Sequence, residues 1–233
     1  MSKQELQKIL SQHKLWLESN YKEGERANLE GTNLERANLE RANLERAILT
    51  GASFYRSNLT GVNLIEANLT GVNLTGANLT GADLTGANIY RASFYRSNLE
   101  RANLEGTNLE RANLERANLT GANLKGANLP DFQLCSQDED FISYKKTSKG
   151  VIRIKVHKEA LKTSSLIGRK CRANFIEVLD GKGLGGGSPI YSDSGLIYDK
   201  GDFIVADSYD DDIRVECTNG IHFFMTEQEA KEW

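Results

Sequence analysis

Cys217 and His222 stand five residues apart, with Cys171 far off in sequence, and they come nearest in this chain to a reactive pair. A thiol beside an imidazole could act as a nucleophile with its base, but the base must be oriented by a third group that spacing does not supply. Zinc would ask for a paired spacing such as Cys-x-x-Cys, which is absent. Cys171 and Cys217 therefore read as buried strand residues and His222 as a core or edge histidine, and neither a metal nor a cofactor is expected. The aspartates of the stretch 207–212 could attract a hard cation, yet they lack the spaced ligands of a calcium loop and read as a solvated loop. Asp207, Cys217 and His222 are retained as the candidate lining of a cleft with a small-ligand or catalytic role. The glycine-rich run 181–188 has no Gly-Lys-Ser/Thr ending and is followed by Pro189-Ile190-Tyr191, so it reads as a hairpin loop and not as a phosphate cradle.

A second kind of chemistry is non-covalent. The octapeptide Ala-Ser-Phe-Tyr-Arg-Ser-Asn-Leu occupies 52–59 and recurs at 92–99. It places Tyr55-Arg56 and Tyr95-Arg96 at a fixed offset, with Tyr90-Arg91 one step before the second copy. Tyrosine and arginine dominate the energetics of protein interfaces, so these six residues are the candidate protein-binding patch. Duplication alone could also leave such an echo, because 25–42 and 100–117 are identical.

What positions these residues is a period of five. From Leu29 to Leu134 every fifth residue is Leu, Ile or Phe, and two places before each, from 27 to 127, stands Ala, Ser, Thr or Val. Asn fills the place between, apart from Ile48, Ser53, Asp83 and Ser93. Successive residues five apart would lie about 140° apart around an α-helix, and an odd spacing throws them onto alternate faces of a plain strand. The pattern closes if each unit is a short extended piece followed by a turn. The small residue and the Leu then share an inward face, Asn bonds nearby backbone at the corner, and Gly takes the unusual dihedral angles there.

These twenty-one units, residues 27–131, resemble the pentapeptide-repeat family. The resemblance implies a right-handed quadrilateral β-helix with four units per coil, hence about five coils and a rod on the order of 25 Å long. On that geometry residues twenty apart stack, so Tyr55 and Tyr95 share a face with Arg36, Arg56, Arg96 and Arg116. The stretches Gly168–Ala173 and Cys217–Phe224 look like an uncharacterised domain that often follows such repeats in bacterial and phage proteins.

The flanks fit two further pieces. Leu6, Ile9, Leu10, His13, Trp16 and Leu17 recur at helical spacing, predicting an amphipathic helix over Lys3–Ser19 that covers the first coil, with His13 and Trp16 as packing residues. At the other end Pro130, Asp131 and Phe132 break the small-residue rule. Beyond them apolar runs at 141–144, 151–156, 174–179, 189–191, 202–206 and 220–225 alternate with Gly- and Asp-containing turns, and Thr226 with Glu229 forms a capping box. The expected organisation is a capping helix over 1–24, a β-helix over 25–134 and an antiparallel α+β domain over 135–233, mainly β in class.

Charge and composition narrow the partners. The net charge of −3 argues against an obligatory nucleic acid or anionic membrane, and no segment has the apolar length of a membrane span. Three cysteines do not make a disulfide framework, which favours a reducing, cytoplasmic setting. Some pentapeptide-repeat proteins protect type II topoisomerases by resembling DNA, which requires a continuous acidic surface. Here nine Glu and two Asp face nine Arg and one Lys over 27–131, so interleaved charges replace such a field. The reading is a non-enzymatic interaction protein with a protein partner. A topoisomerase modulator and a C-terminal domain with catalytic or small-ligand function stand as alternatives.

Overall fold

The computed structural model describes residues 1–130, 134–184, 196–214 and 219–233. The chain divides into two compact units, Met1–Asp131 and Phe132–Trp233, and each is described by itself.

The first unit opens with α1, Lys3–Glu18, whose N-terminus is closed by a capping box in which the Ser2 hydroxyl accepts the Glu5 amide and the Glu5 carboxylate accepts the Ser2 amide. After the helix the chain doubles back at Gly24. Its φ is +73°, and a Cβ there would stand 2.3 Å from the Gln12 carbonyl oxygen, so glycine alone fits. The helix is seated on the repeat through His13, which is fully buried and accepts the Ala27 amide on Nδ1 at 3.0 Å.

From Asn28 onward the repeat is a ladder of parallel bridges. Asn28 pairs with Ile48, Asn33 with Ser53, and so on to Asn108 with Asn128, always at an offset of twenty. Twenty residues at five per unit make four units per coil, so each side of the coil holds every fourth unit. The amide of the large apolar residue donates one coil forward, as Leu29 does to Ile48 at 2.8 Å, and the amide at the Asn position donates one coil back, as Ile48 does to Ala27 at 2.9 Å. The small residue and the Leu point inward and are buried throughout the middle coils, with Phe54 and Phe94 filling the same side two coils apart.

Each corner is a turn in which the small residue's amide donates back to the preceding Leu carbonyl, as Ala37 does to Leu34 at 3.0 Å. The third residue of the turn has positive φ in every described unit, the pattern of a type II turn. Asn holds the corner from outside. Its Oδ1 accepts the amide two residues on, as Asn58 does from Thr60 at 3.1 Å, and its Nδ2 reaches the next coil, as Asn118 does to Asn98 Oδ1 at 3.1 Å.

The second unit is built of antiparallel pairs. A four-stranded sheet runs β1 (Phe141–Thr147), β2 (Gly150–Val156), β5 (Phe175–Asp180), β8 (Phe203–Val205) in that order. A three-stranded sheet joins β3 (Lys162–Ser164), β4 (Cys171–Ala173) and β9 (Ile221–Phe223), and β6 (Lys182–Leu184) pairs with β7 (Ile197–Asp199). Ile152, Ile154, Val156, Ile176, Val178, Tyr198 and Phe223 centre the core. The chain closes in α2, Glu227–Glu232, behind a capping box of Thr226 and Glu229.

Two local expectations change. Lys182–Leu184 at the start of the glycine run is a strand, because its backbone finds a partner in β7, while 185–188 lie outside the described residues. The aspartates at 210 and 212 are not merely solvated. Their carbonyls accept Nε and Nη2 of the buried Arg172, each at 2.5 Å, and the Asp212 carboxylate pairs with Arg214.

Candidate protein-interaction surface

The corner position decides what the rod can show to a partner. Twenty described corners have positive φ; ten are Gly, nine are Arg and one is Glu66. A side chain in the left-handed region costs on the order of 1 kcal/mol relative to Gly. Arginine thus stands at nine places where the backbone favours glycine. These guanidiniums project from corners whose geometry a hydrogen-bonded ladder fixes.

Three corners carry a tyrosine immediately before the arginine, and in each the guanidinium lies over the ring: Arg56 on Tyr55 at 5.0 Å, Arg91 on Tyr90 at 5.0 Å and Arg96 on Tyr95 at 5.1 Å. The next coil adds a second cation. Arg111 reaches Tyr90 at 6.0 Å and Arg116 reaches Tyr95 at 5.9 Å, with Arg116 Nη1 also donating to the Tyr95 hydroxyl at 3.2 Å. Tyr55 has one arginine over it, because the corner one coil on is Gly76. The six residues singled out from the sequence form three stacked pairs, with Tyr55 and Tyr95 two coils apart on one side of the coil and Tyr90 on the side preceding it. The tyrosines are half-buried and not open to solvent, since arginines cover them, whereas Arg56, Arg91 and Arg96 are exposed.

Arg111 escaped the sequence reading, although its offset of twenty from Arg91 was available. A fourth stack, Arg46 over Tyr21 at 5.3 Å, joins the segment after α1 to the first coil and was missed because Tyr21 lies outside the repeat. Arg46 is committed there: it also hydrogen-bonds the Tyr21 hydroxyl and pairs with Glu66 at 2.7 Å.

The second unit arranges its polar groups differently. Cys217 lies outside the described residues. Asp207 is exposed and His222 is buried on β9 opposite Arg172, with no hydrogen bond or ion pair joining Asp207 to His222. Cys171 is buried on β4 and shares Ser164 with Cys135, whose Sγ is 3.3 Å from the Ser164 hydroxyl. Hydrogen bonding from Cys171 brings Cys135 down to about 6 against the pull of burial, and the same contact together with burial pushes Cys171 up. Lys145 is buried on β1, donating to the His222 carbonyl at 3.0 Å with its ammonium over Tyr198 at 5.1 Å.

Among the described residues one group, Asp140, His157 and Glu159, has the donors for a metal ion. Its geometry serves an ion pair instead: Asp140 accepts Lys155 Nζ at 2.8 Å and the Lys158 amide at 2.8 Å, which hold its carboxyl down to about 2. His157 stacks against Phe175 and Phe203 in a packing role. An open groove beside it, lined by Gln137, Lys158, Leu161, Lys162, Tyr209 and Asp211, carries no convergent acid–base pair.

Comparison with known proteins divides the chain in the same way. Residues 27–64, 63–101 and 97–131 match pentapeptide repeats, and 132–230 match a family of unknown function (DUF5758). A crystal structure of a pentapeptide repeat protein from the cyanobacterium Cyanothece 51142 is 35% identical over 45% of this chain and 84% of its own, with a TM-score of 0.44. One from the Arabidopsis thaliana thylakoid lumen is 30% identical over 47% of this chain and 72% of its own, with a TM-score of 0.35. A plasmid-mediated fluoroquinolone resistance protein, QnrB1, is 19% identical over 44% of this chain and 68% of its own, with a TM-score of 0.22. No curated protein matches. No helix of the described residues is long and apolar enough to cross a membrane.

Proposed function

We propose that this chain, which belongs to the pentapeptide-repeat proteins and joins its repeats to a C-terminal domain of unknown function, is a non-enzymatic protein-interaction scaffold. The observation that carries this reading is the set of arginine-on-tyrosine stacks at Tyr55, Tyr90 and Tyr95, held on a backbone whose every corner is hydrogen-bonded. Such a surface is ordered before a partner arrives, so association loses little side-chain entropy. Its residue types are those in which interface energy concentrates. A right-handed quadrilateral β-helix under an N-terminal cap, with an α+β domain as a second binding module, is the architecture this role would use. The boundaries would lie at 1–24, 25–134 and 135–233. The free thiols of Cys135 and Cys171 are in keeping with a reducing, cytoplasmic setting.

A DNA-mimic role would need a dominant acidic side. The most acidic side of the coil, with Glu45, Glu66, Asp83 and Glu105, also holds Arg46 and Lys125, which pair with Glu66 and Glu105. That leaves two acids without a basic partner on that side, too few for a phosphate-like field. The scaffold reading is tested by capture with the full-length protein, with each half, and with the double variant Tyr55→Thr/Tyr95→Thr. A partner held by wild type and by the repeat half, and lost from the double variant, is expected. Retention of every partner by a normally folded double variant overturns the assignment of the patch.

A further inference from the structure

The charges of the rod are not evenly spread over the sides of the coil. On the side that carries Tyr55 and Tyr95 the charged residues are Arg36, Arg56, Arg96 and Arg116 against Glu35 and Glu115, a surplus of two positive charges (4 − 2). Of these arginines only Arg116 has a carboxylate within ion-pair distance, Glu115 at 3.7 Å. Among the described residues no carboxylate lies within 4.0 Å of Arg36, Arg56 or Arg96, nor of Arg91 and Arg111 at the adjoining corner. Glu35 is turned toward the Ser53 hydroxyl at 3.3 Å. On the opposite side, two units on, both basic residues are paired. The cationic surplus is therefore local, although the whole chain is acidic at −3.

Each of these arginines also sits at a left-handed corner where glycine would be the relaxed choice. The guanidiniums of Arg56, Arg91 and Arg96 are held over tyrosine rings yet exposed, and they carry the planar N–H fork that grips a carboxylate with two parallel hydrogen bonds. Resting on the interaction role proposed above, we infer that this side binds an extended acidic segment of a partner protein, laid along the axis of the coils. Neighbouring corner arginines such as Arg96 and Arg116 are about one strand spacing apart, about 4.8 Å, and Arg56 and Arg96 are two, about 10 Å. An extended chain rises about 3.4 Å per residue, so carboxylates three residues apart, about 10 Å, match Arg56 and Arg96, and those one or two residues apart, about 3.4 and 6.8 Å, bracket Arg96 and Arg116.

A single-stranded nucleic acid has a similar charge spacing, but it gains affinity by stacking bases on open aromatic faces. Here each ring already carries a guanidinium, and two rings carry a second: Tyr95 meets Arg96 and Arg116, and Tyr90 meets Arg91 and Arg111. A peptide needs only the arginine edges. The surface favours the peptide.

The test is fluorescence anisotropy with the full-length protein and three labelled probes: a ten-residue peptide alternating Glu and Ser, the same peptide with Gln for Glu, and a ten-nucleotide oligothymidylate. The Glu peptide is expected to bind, the Gln peptide to bind at least tenfold more weakly, and the affinity for the Glu peptide to fall as salt rises. Arg56→Gly/Arg96→Gly should weaken the Glu peptide at least tenfold. Arg41→Gly/Arg101→Gly, which removes the same charge and the same backbone strain from the next side, should change it less than twofold. Equal effects of the two double variants, equal binding of Glu and Gln peptides, or tighter binding of oligothymidylate would each overturn the inference. If the Glu peptide does not bind, the capture experiment separates the two readings. A partner lost from Tyr55→Thr/Tyr95→Thr leaves the patch standing and removes the acidic segment; retention of every partner by that variant removes the patch and the acidic segment together.

Discussion

The Ala27 amide donates to His13 Nδ1 at 3.0 Å inside the seat of α1, so the helix rests on a histidine that must be neutral to accept this bond. Burial holds His13 below its ordinary value of 6.5, with the Glu45 carbonyl opposing that shift. A lowered folded-state value means that the unfolded chain binds more protons as pH falls through the unfolded value. The helix seat is therefore fully stable above about pH 6.5 and loses stability below it, until the folded-state value is reached. Hydrogen exchange of the α1 amides, followed from about pH 7 to about pH 5, should show protection falling in the wild type. His13→Gln should show a flat profile, and so should the emission of Trp16, which stacks on His13 at 5.6 Å. A wild-type profile as flat as the variant's would remove His13 as the cause.

Leu79 lies mid-rod and is fully buried among the inward residues of the coils. Leu79→Lys puts an ammonium on the axis with no acid to meet it and no route for its stem to solvent. The expected cost is several kcal/mol, on the order of 3 to 5. Thermal unfolding should fall by many degrees or the repeat should not assemble. Unchanged unfolding would contradict the inward assignment of the whole five-spaced series.

Gly81 has φ of +65°, and a Cβ built on it meets nothing within 4 Å. Any penalty for Gly81→Ala is then purely conformational, expected at about 1 kcal/mol. The reverse change, Arg41→Gly at φ of +55°, should stabilise the rod or leave it unchanged. Paired denaturation curves check the sign of both. A stabilising Gly81→Ala would mean that the corners do not require the left-handed conformation.

The repeat was legible because one inward Leu per five residues leaves a single way to bury all of them, and twice the bridge offset of twenty appears in the echo of 52–59 at 92–99. The corners were half legible. Gly predicted the positive φ, but its exchange with Arg hid the fact that Arg56 and Arg96 share that conformation. The second unit was legible where strands are apolar, as at Gly150–Val156, Phe203–Val205 and Ile221–Phe223, and not where they are short and polar. Lys162–Ser164 and Cys171–Ala173 carry Lys, Thr, Ser and Arg inward and become strands only because tertiary partners satisfy them. Among the candidates of the second unit, Asp207 and His222 stood close in sequence yet share no bond. The ordered cluster of Asp140, Lys155 and His157 joins two strands and gave no local signal.

That cluster gives a pH prediction of the same sign in a lower window. Asp140 is held to about 2 by the hydrogen bond from Lys155 and the Lys158 amide, below its ordinary 3.8. A depressed carboxylate contributes stability that is present above the unfolded value and is lost as pH falls through the folded one. The window is therefore about pH 4 down to about pH 2. Asp140→Asn should flatten the acid limb of the second unit's unfolding in that window by lowering the neutral-pH midpoint toward the acid value, a small change since the pair is exposed. An acid limb identical to the wild type's would show that other carboxylates carry it.

Arg172 is the largest of the fully buried side chains, and its fork does what no shorter cation could. Nε donates to the Asp210 carbonyl and Nη2 to the Asp212 carbonyl, so a single planar group fastens the 207–214 segment to β4. Burial pulls Arg172 down from its ordinary value, and Tyr209, Asp210, Asp212 and Asp211 oppose that pull. Removing the guanidinium takes these donors from the two carbonyls and loosens the segment, whereas Lys keeps the charge but offers a single point of contact. Arg172→Met should cost the second unit about 3 to 5 kcal/mol and Arg172→Lys nearly as much. If charge alone mattered, Lys would rescue. Denaturation of the full chain, followed by Trp233 emission for the second unit, distinguishes the cases. Near-wild-type stability for Arg172→Lys would mean that the fork is dispensable and that the acidic stretch is held by its charges alone.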